Sequence, residues 1–422
     1  MKHIKLRLII MNFLQFAVWG AYLTSMGSYL ANAGQGANIG VFYAMQGITS
    51  IFMPALIGIV ADRWIPAQKM MGICHLISST FLLTLGYYGL TTGNEADFSI
   101  LITLFAVGIG FYMPSLSLSY SVAYNALEKA GYDTISVFPP IRTLGTVGFI
   151  CTMLLVDALG FQTTSMQFIV SGILGIILGF YAMTLPECPI NKHSEKKSLA
   201  DALGLRAFSL FKDRTMATFL IFSLLLGVAL QLSNSYANPF ISSFATIEEY
   251  ANTFGAQHAN ALISLSQCSE TLCILLIPFF MKRFGIKQVM LFAMLAWVLR
   301  FGLFGAGNPG GGVWMFILSM IIYGVAFDFF NISGSLFVNQ TTDKSMRSSA
   351  QGLFMLMTNG VGATLGTIGA QAVVNHYIEN VNGFMVGDWS TVWYIFAGYA
   401  LVLSIAFALI FKYKHLPQQK SE

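Results

Sequence analysis

The chain has 422 residues, of which 56% are hydrophobic and only 9% are charged, with a net charge of +4. A soluble domain carries about a quarter charged residues, so this composition excludes a water-covered globule and points to a membrane protein. The small positive balance follows from membrane topology, as shown below, and calls for no nucleic-acid partner.

A spanning helix needs about 20 mostly apolar residues. Twelve such segments are predicted, at 8–30, 39–61, 70–91, 98–127, 140–160, 163–185, 215–243, 259–281, 288–306, 313–340, 348–375 and 389–411. The longest polar stretch, 186–214, divides them into two sets of six. The expected organisation is an N-terminal six-helix half at 1–185, a cytoplasmic linker at 186–214, and a C-terminal half with a short tail at 215–422. This is an all-α integral membrane protein with the outline of a two-halved transporter.

The first segment has a basic start and runs into Ala31-Asn32-Ala33, as a signal peptide would. Its apolar run is too long for a signal sequence, and removing it would leave an odd number of spans. It is expected to remain. Pro54, Pro114, Pro239 and Pro278 interrupt spans and mark expected bends or unwound backbone. "GNPGGG", 307–312, reads as a tight turn on the outside. "GVGATLGTIGA", 360–370, places small residues where close helix packing is expected.

Lys and Arg concentrate in loops that stay in the cytoplasm. Here they fall on one side: Lys2, Lys5 and Arg7; Arg63 and Lys69; Lys129; Lys192, Lys196, Lys197, Arg206, Lys212 and Arg214 in the linker; Lys282, Arg283 and Lys287; Lys344 and Arg347; and Lys412, Lys414 and Lys420. The intervening loops carry acids instead, among them Glu95, Asp97, Glu248 and Glu249. Both termini are therefore expected inside. The five cysteines show no metal-like spacing and read as packing residues, with Cys188 at a cytoplasmic edge. There is neither an HExxH nor a P-loop, so no metal, cofactor or nucleotide drive is implied.

Four ionisable residues remain at membrane depth: Arg142, Glu270, Arg300 and Asp328. Each costs about 3 kcal/mol at the bilayer centre on insertion scales, and such groups usually mark a substrate or proton pathway. The competing reading is a structural ion pair inside the bundle. A rise of about 1.5 Å per residue puts Glu270 near the midplane, with Asp328 too deep to pair with Arg300. Arg142 is the better partner for Asp328, and Arg300 reads as structural.

Spacing groups further residues onto helix faces: Arg142, Thr146 and Phe149; Gln231 and Asn234; Gln267 and Glu270; Tyr323 and Phe327, with Asp328 beside them and Asn331 one turn on. Amides, carboxylates, an arginine and aromatic rings suit a flat, uncharged ligand with polar edges. For any single amide, interhelical hydrogen bonding is an equal alternative. A channel would favour rings or repeated filters, and an enzyme would need a nucleophile or a metal cluster.

"GIVADRW", 58–64, resembles the shortened G-x-x-x-D-R loop motif of major facilitator transporters, matching at Gly58, Asp62 and Arg63. Over nearly its whole length the chain resembles the bacterial nucleoside:proton symporters of that superfamily, the group of the nucleoside and xanthosine permeases. The likeness is carried by "NFLQFAVWGAYLTSMGSYL", "FPPIRTLGTVGFI", "SQCSETLCIL", "YGVAFDFFNISGS", "SSAQGLFMLMTNG" and "FKYKH". It implies the major facilitator fold and proton-driven nucleoside uptake through the inner membrane, with no cofactor. The partners implied are nucleoside, protons and the lipid bilayer; the chain is expected to act as a monomer. It also implies a nucleoside site of Arg142, Thr146, Phe149, Gln231, Asn234, Gln267, Glu270, Tyr323 and Phe327. Asp328 is then the proton-coupling acid, with Glu270 its rival. "NSYANPF", 234–240, and Cys268 depart from the pattern and leave the choice of nucleoside open. Among transporters, a sugar or nucleobase symporter is the alternative.

Overall fold

The computed structural model describes residues 3–190, 205–342 and 347–413. Residues 191–204 of the linker, Lys344 and the tail from Lys414 lie outside the described residues, as do Lys2 and the side chains of Asp62, Arg63, Arg206 and Arg347. The helices are α1 (Ile4–Gly20), α2 (Met26–Asn32), α3 (Ile39–Arg63), α4 (Ala67–Thr92), α5 (Phe98–Lys129), α6 (Thr134–Ala158) and α7 (Met166–Met183). After the linker come α8 (Arg214–Ser243), α9 (Ala259–Phe284), α10 (Ile286–Ala306) and α11 (Val313–Thr341). The next span runs through α12 (Arg347–Met355), a π-helical turn at Leu356–Gly362, and α13 (Ala363–Tyr377), and α14 (Trp389–Ile410) follows. Among the described residues, eleven helices are long and apolar enough to cross a membrane.

The first predicted segment differs from expectation. It is a 17-residue helix, a turn and the seven-residue α2. Side chains from elsewhere capture the turn. Tyr43 Oη donates to the Leu23 carbonyl at 2.5 Å, Thr24 bonds Asn260, and Ser25 bonds Gln167. A backbone carbonyl used in this way is withdrawn from the helical ladder.

The prolines do not unwind the backbone. Pro54, Pro114, Pro239 and Pro278 all lie inside continuous helices. A break from α-helical hydrogen bonding occurs at the π turn. There α8 approaches so closely that a Cβ on Gly227 or Gly362 would collide with the Thr358 or Leu224 carbonyl. The small residues predicted for tight packing serve that approach. "GNPGGG" is the expected turn, with Asn308 Oδ1 accepting from the amides of Gly310 and Gly312 at 3.0 Å each.

A hairpin was not foreseen: β1 (Ile378–Val381) pairs antiparallel with β2 (Phe384–Gly387). Its two-residue turn, Asn382-Gly383, has φ of 51° and 86°, the primed turn that Asn-Gly favours. Of the cysteines, Cys74, Cys188 and Cys273 are buried, as packing residues should be, but Cys151 and Cys268 are exposed.

Helices α1 and α3–α7 pack on one another, α4 against α5 and α7, and α1 against α6. Helices α8–α14 form a second set around the α10–α11 and α10–α14 contacts. The sets meet where α6 packs on α9, and where α3 packs on α13 and the π turn.

Candidate functional site

Arg142 is placed by the contact of α6 with α1. A Cβ on Gly145 would meet the Phe16 ring at 2.6 Å, and one on Gly148 would collide with the Phe13 carbonyl. That closeness brings the Phe16 ring beneath the Arg142 guanidinium, at 3.8 Å from carbon to centroid. Arg142 Nε donates to Tyr120 Oη at 2.9 Å. The cation is thus held by α1 and α5. On the same face Thr146 is half-buried and Phe149 is buried. Phe149 meets Trp19 edge-on at 6.5 Å, and Trp19 Nε1 donates to Gln46 Oε1 at 3.0 Å.

Across the contact between the two sets, α11 carries Tyr323, Phe327 and Asp328. The i, i+4 spacing stacks the Tyr323 and Phe327 rings, 5.8 Å apart and 9° from parallel. A Cβ on Gly324 would lie 2.5 Å from the Ser269 carbonyl oxygen, so glycine lets α9 come against α11. Gln267 on α9 lies near the Tyr323 side chain. Glu270 interacts electrostatically with Arg142, and Asp328 with both Glu270 and Arg142. Three of the four intramembrane ionisable residues thus lie near one another between the two sets of helices, and among the described residues no ion pair joins them. Asp328 is buried, and among the described residues its Oδ2 has no hydrogen-bond partner.

Gln231 and Asn234 lie half-buried on α8. Among the described residues no hydrogen bond joins them to the charged cluster, and Gln231 Oε1 is buried without a partner. Asn331 bonds back to the Phe327 carbonyl at 3.1 Å and lines a small cleft of about 20 Å³ with Phe327, Thr358 and Asn359. Arg300 stands apart from the charged cluster and bonds to serines.

Some residues near the site were not singled out from sequence. Phe16 and Trp19 stand at i, i+3 in "NFLQFAVWG", a spacing that could have linked them to one face. Tyr120 carried no local signal.

The end of the bundle that the charge pattern assigns to the outside holds a second polar cluster, also not foreseen. Asp157 Oδ2 and His258 Nδ1 are 2.8 Å apart, and the buried Gln162 amide donates to Asp157. Gln162 Oε1 accepts from Asn238 at 3.0 Å and from the Asn260 amide at 3.1 Å. Ser28 donates to Asn238, and Gln371 accepts from the Gly40 amide and donates to the Gly36 carbonyl. Apart from the Gln162–Asp157 bond, these contacts run from α1–α7 and their loops to α8–α14 and theirs.

A helical membrane bundle with a charged, aromatic-lined site between two sets of helices defines a membrane transport protein. Residues 1–416 match the family model described as Nucleoside H+ symporter. The chain belongs to the nucleoside H+ symporter family, whose members are transporters and not enzymes. It is 47% identical over 418 residues to the nucleoside permease NupG of Escherichia coli (strain K12), covering 98% of this chain and 97% of the relative. It is 45% identical over 419 residues to the xanthosine permease of the same organism, covering 99% and 98%. The crystal structure of the nucleoside transporter NupG superposes with a TM-score of 0.89 at 45% identity, over 98% of this chain and 100% of that one. A POT family peptide transporter, at TM-score 0.67 and 15% identity over 99% of each chain, shares the fold alone.

Proposed function

We propose that this protein takes up nucleosides across the bacterial inner membrane in symport with protons, as a monomer without a cofactor, by alternating access of two six-helix halves of the major facilitator type. One observation carries the reading: Arg142, Glu270 and Asp328 converge beside the stacked Tyr323 and Phe327 rings. Stacked rings offer a face to a nucleobase. Carboxylates and amides around them match the edges of a base and the hydroxyls of a ribose.

In this reading α1 is the twelfth span, and both termini lie in the cytoplasm with the basic loops. Arg142, Thr146, Phe149, Gln231, Asn234, Gln267, Glu270, Tyr323 and Phe327 bind the nucleoside. The unpartnered oxygens of Gln231 and Asp328 are ones that a ligand or a proton would satisfy. Asp328 carries the proton: it shares one electrostatic cluster with Arg142 and Glu270, so a change in its charge is felt by the binding groups. The outer polar cluster ties the halves together on one side of the membrane, which is the closed outer gate of an alternating-access cycle.

The test is uptake into proteoliposomes. Labelled uridine or adenosine accumulates when an inward proton gradient is imposed, and an uncoupler abolishes accumulation. Uptake that follows sodium, or that free sugars and free bases compete away as well as nucleosides do, sinks the reading.

A further inference from the structure

Arg300 is a buried charge that the proposed mechanism does not use. It is 2% exposed, and no carboxylate lies within ion-pair distance of it among the described residues. A cation taken out of water without a counter-ion is costly, so what holds it here is informative. Nε and Nη2 both donate to Ser233 Oγ, at 3.0 and 2.7 Å. Nη1 donates to the Ser319 carbonyl at 2.6 Å and reaches Ser266 Oγ at 3.5 Å. Ser319 Oγ in turn donates to the Arg300 carbonyl at 3.0 Å.

The positions of these serines give the hub its meaning. Ser233 on α8 lies between Gln231 and Asn234. Ser266 on α9 directly precedes Gln267, and Ser319 on α11 is one turn before Tyr323. The guanidinium also sits 4.7 Å from the Tyr323 ring centroid and 4.9 Å from that of Phe304. Trp297 meets Tyr323 edge-on at 5.9 Å. One side chain from α10, a helix that supplies no proposed ligand contact, therefore touches all three helices that carry the C-terminal half of the site. It also lies against the ring that stacks on Phe327. A guanidinium suits the task, because its donors form a rigid planar fork that also stacks on aromatic rings, which a lysine ammonium cannot reproduce.

We infer that Arg300 is a positioning residue for nucleoside binding: it holds α8, α9 and α11 in register and fixes the Tyr323 ring through which it acts on the ligand. The inference rests on the nucleoside reading above. It differs from a purely structural role, in which Arg300 would set stability but not affinity.

The experiment measures uridine and adenosine binding by calorimetry on purified, monodisperse protein, with melting temperature alongside. Arg300→Lys keeps the charge and loses the fork. Ser233→Ala removes the acceptor shared by two donors and leaves the arginine in place. Each is expected to weaken binding about tenfold, the scale of losing an ordered stacking surface, while the protein still melts as one cooperative unit. Combined with Tyr323→Leu, neither is expected to add a further loss, because both act through the same ring. Combined with Phe149→Ala on the other side of the site, losses are expected to multiply. Wild-type affinity in both hub variants overturns the inference, as does a loss that multiplies with Tyr323→Leu. If Arg300→Lys aggregates, Ser233→Ala and its two double variants decide alone. Failure of the parent protein to bind either nucleoside strikes the nucleoside reading itself, a result distinct from normal parent binding with unaffected variants.

Discussion

The outer polar cluster and the central site are both built from amides, carboxylates and a basic side chain, yet their hydrogen bonding differs. Around Gln162, the side chains of Gln162, Asn238 and Asn260 form a mesh in which several atoms make two bonds and Asp157 is matched by His258 and Gln162; among the described residues Asn260 Nδ2 is its one buried donor without a partner. At the centre, among the described residues, Asp328 Oδ2 and Gln231 Oε1 are buried without partners. A buried polar group without a hydrogen bond costs about 1–3 kcal/mol. A multiply bonded mesh favours one arrangement, whereas acceptors left open at the centre can take a ligand's donor or a proton. The first fits the closed gate proposed above, and the second fits the proposed binding and coupling site.

The largest effect expected on this contrast is at Asp328. Asp328→Asn keeps the shape and an acceptor but cannot take up and release a proton near neutral pH. Accumulation driven by a proton gradient is expected to vanish, while calorimetry still detects nucleoside binding. If Asp328 is only a structural partner of Arg142, the change strands a buried arginine at a cost of about 3–5 kcal/mol. Early melting and lost binding would then appear together, and adding Arg142→Gln would restore stability. Normal accumulation in Asp328→Asn, with its loss in Glu270→Gln, moves the proton to Glu270.

Next comes the stacking surface. Phe149→Ala is expected to weaken nucleoside binding tenfold or more, because base stacking contributes about 1–3 kcal/mol. Gln267→Ala should weaken it less, with the folded protein retained in the membrane. Parent-like affinity in both would make them packing residues.

The mesh should behave the other way round. Gln162→Ala strips partners from Asp157, Asn238 and the Asn260 amide together. It is expected to lower the melting temperature by several degrees, consistent with about 1–3 kcal/mol per stranded group. Uridine affinity, measured on the same sample, should change far less than in Phe149→Ala. An unchanged melting curve would remove the distinction between the two regions.

The smallest effect is expected at Asp388, which caps α14. Its carboxylate accepts from the Thr391 amide at 3.0 Å and from Thr391 Oγ1 at 2.5 Å. These bonds favour the ionised form and hold its pKa below the ordinary value of 3.8. A lowered pKa contributes stability that is full above the unfolded value and disappears as pH falls through the folded one. Asp388→Ala should therefore melt slightly early at neutral pH, and the gap from the parent should close below about pH 4. A gap that stays constant with pH would remove the charge from the explanation.

Hydropathy marked out the spans of the bundle, because lipid leaves the backbone few options besides helix. The same scarcity of charge made Arg142, Glu270, Arg300 and Asp328 stand out, since each must be compensated inside the bundle. Local spacing gave the Tyr323–Phe327 stack, an i, i+4 pair on one helix. The Asn-Gly turn of the hairpin was equally local, but was read as part of a loop between spans.

What sequence could not show was which faces meet. Asp157 and His258 are 101 residues apart, and Gln162 and Asn238 are 76 apart. No periodicity links such positions. The break after Gly20 is a tertiary effect as well, because its captured groups bond to Tyr43, Gln167 and Asn260. Arg300 shows the division most clearly. Its burial was legible as a charge in an apolar run, and its structural role was the natural reading. Only the packing of α8, α9 and α11 around one guanidinium shows that its partners flank the residues of the proposed site, because hydrogen bonds between helices depend on how the helices are brought together in space.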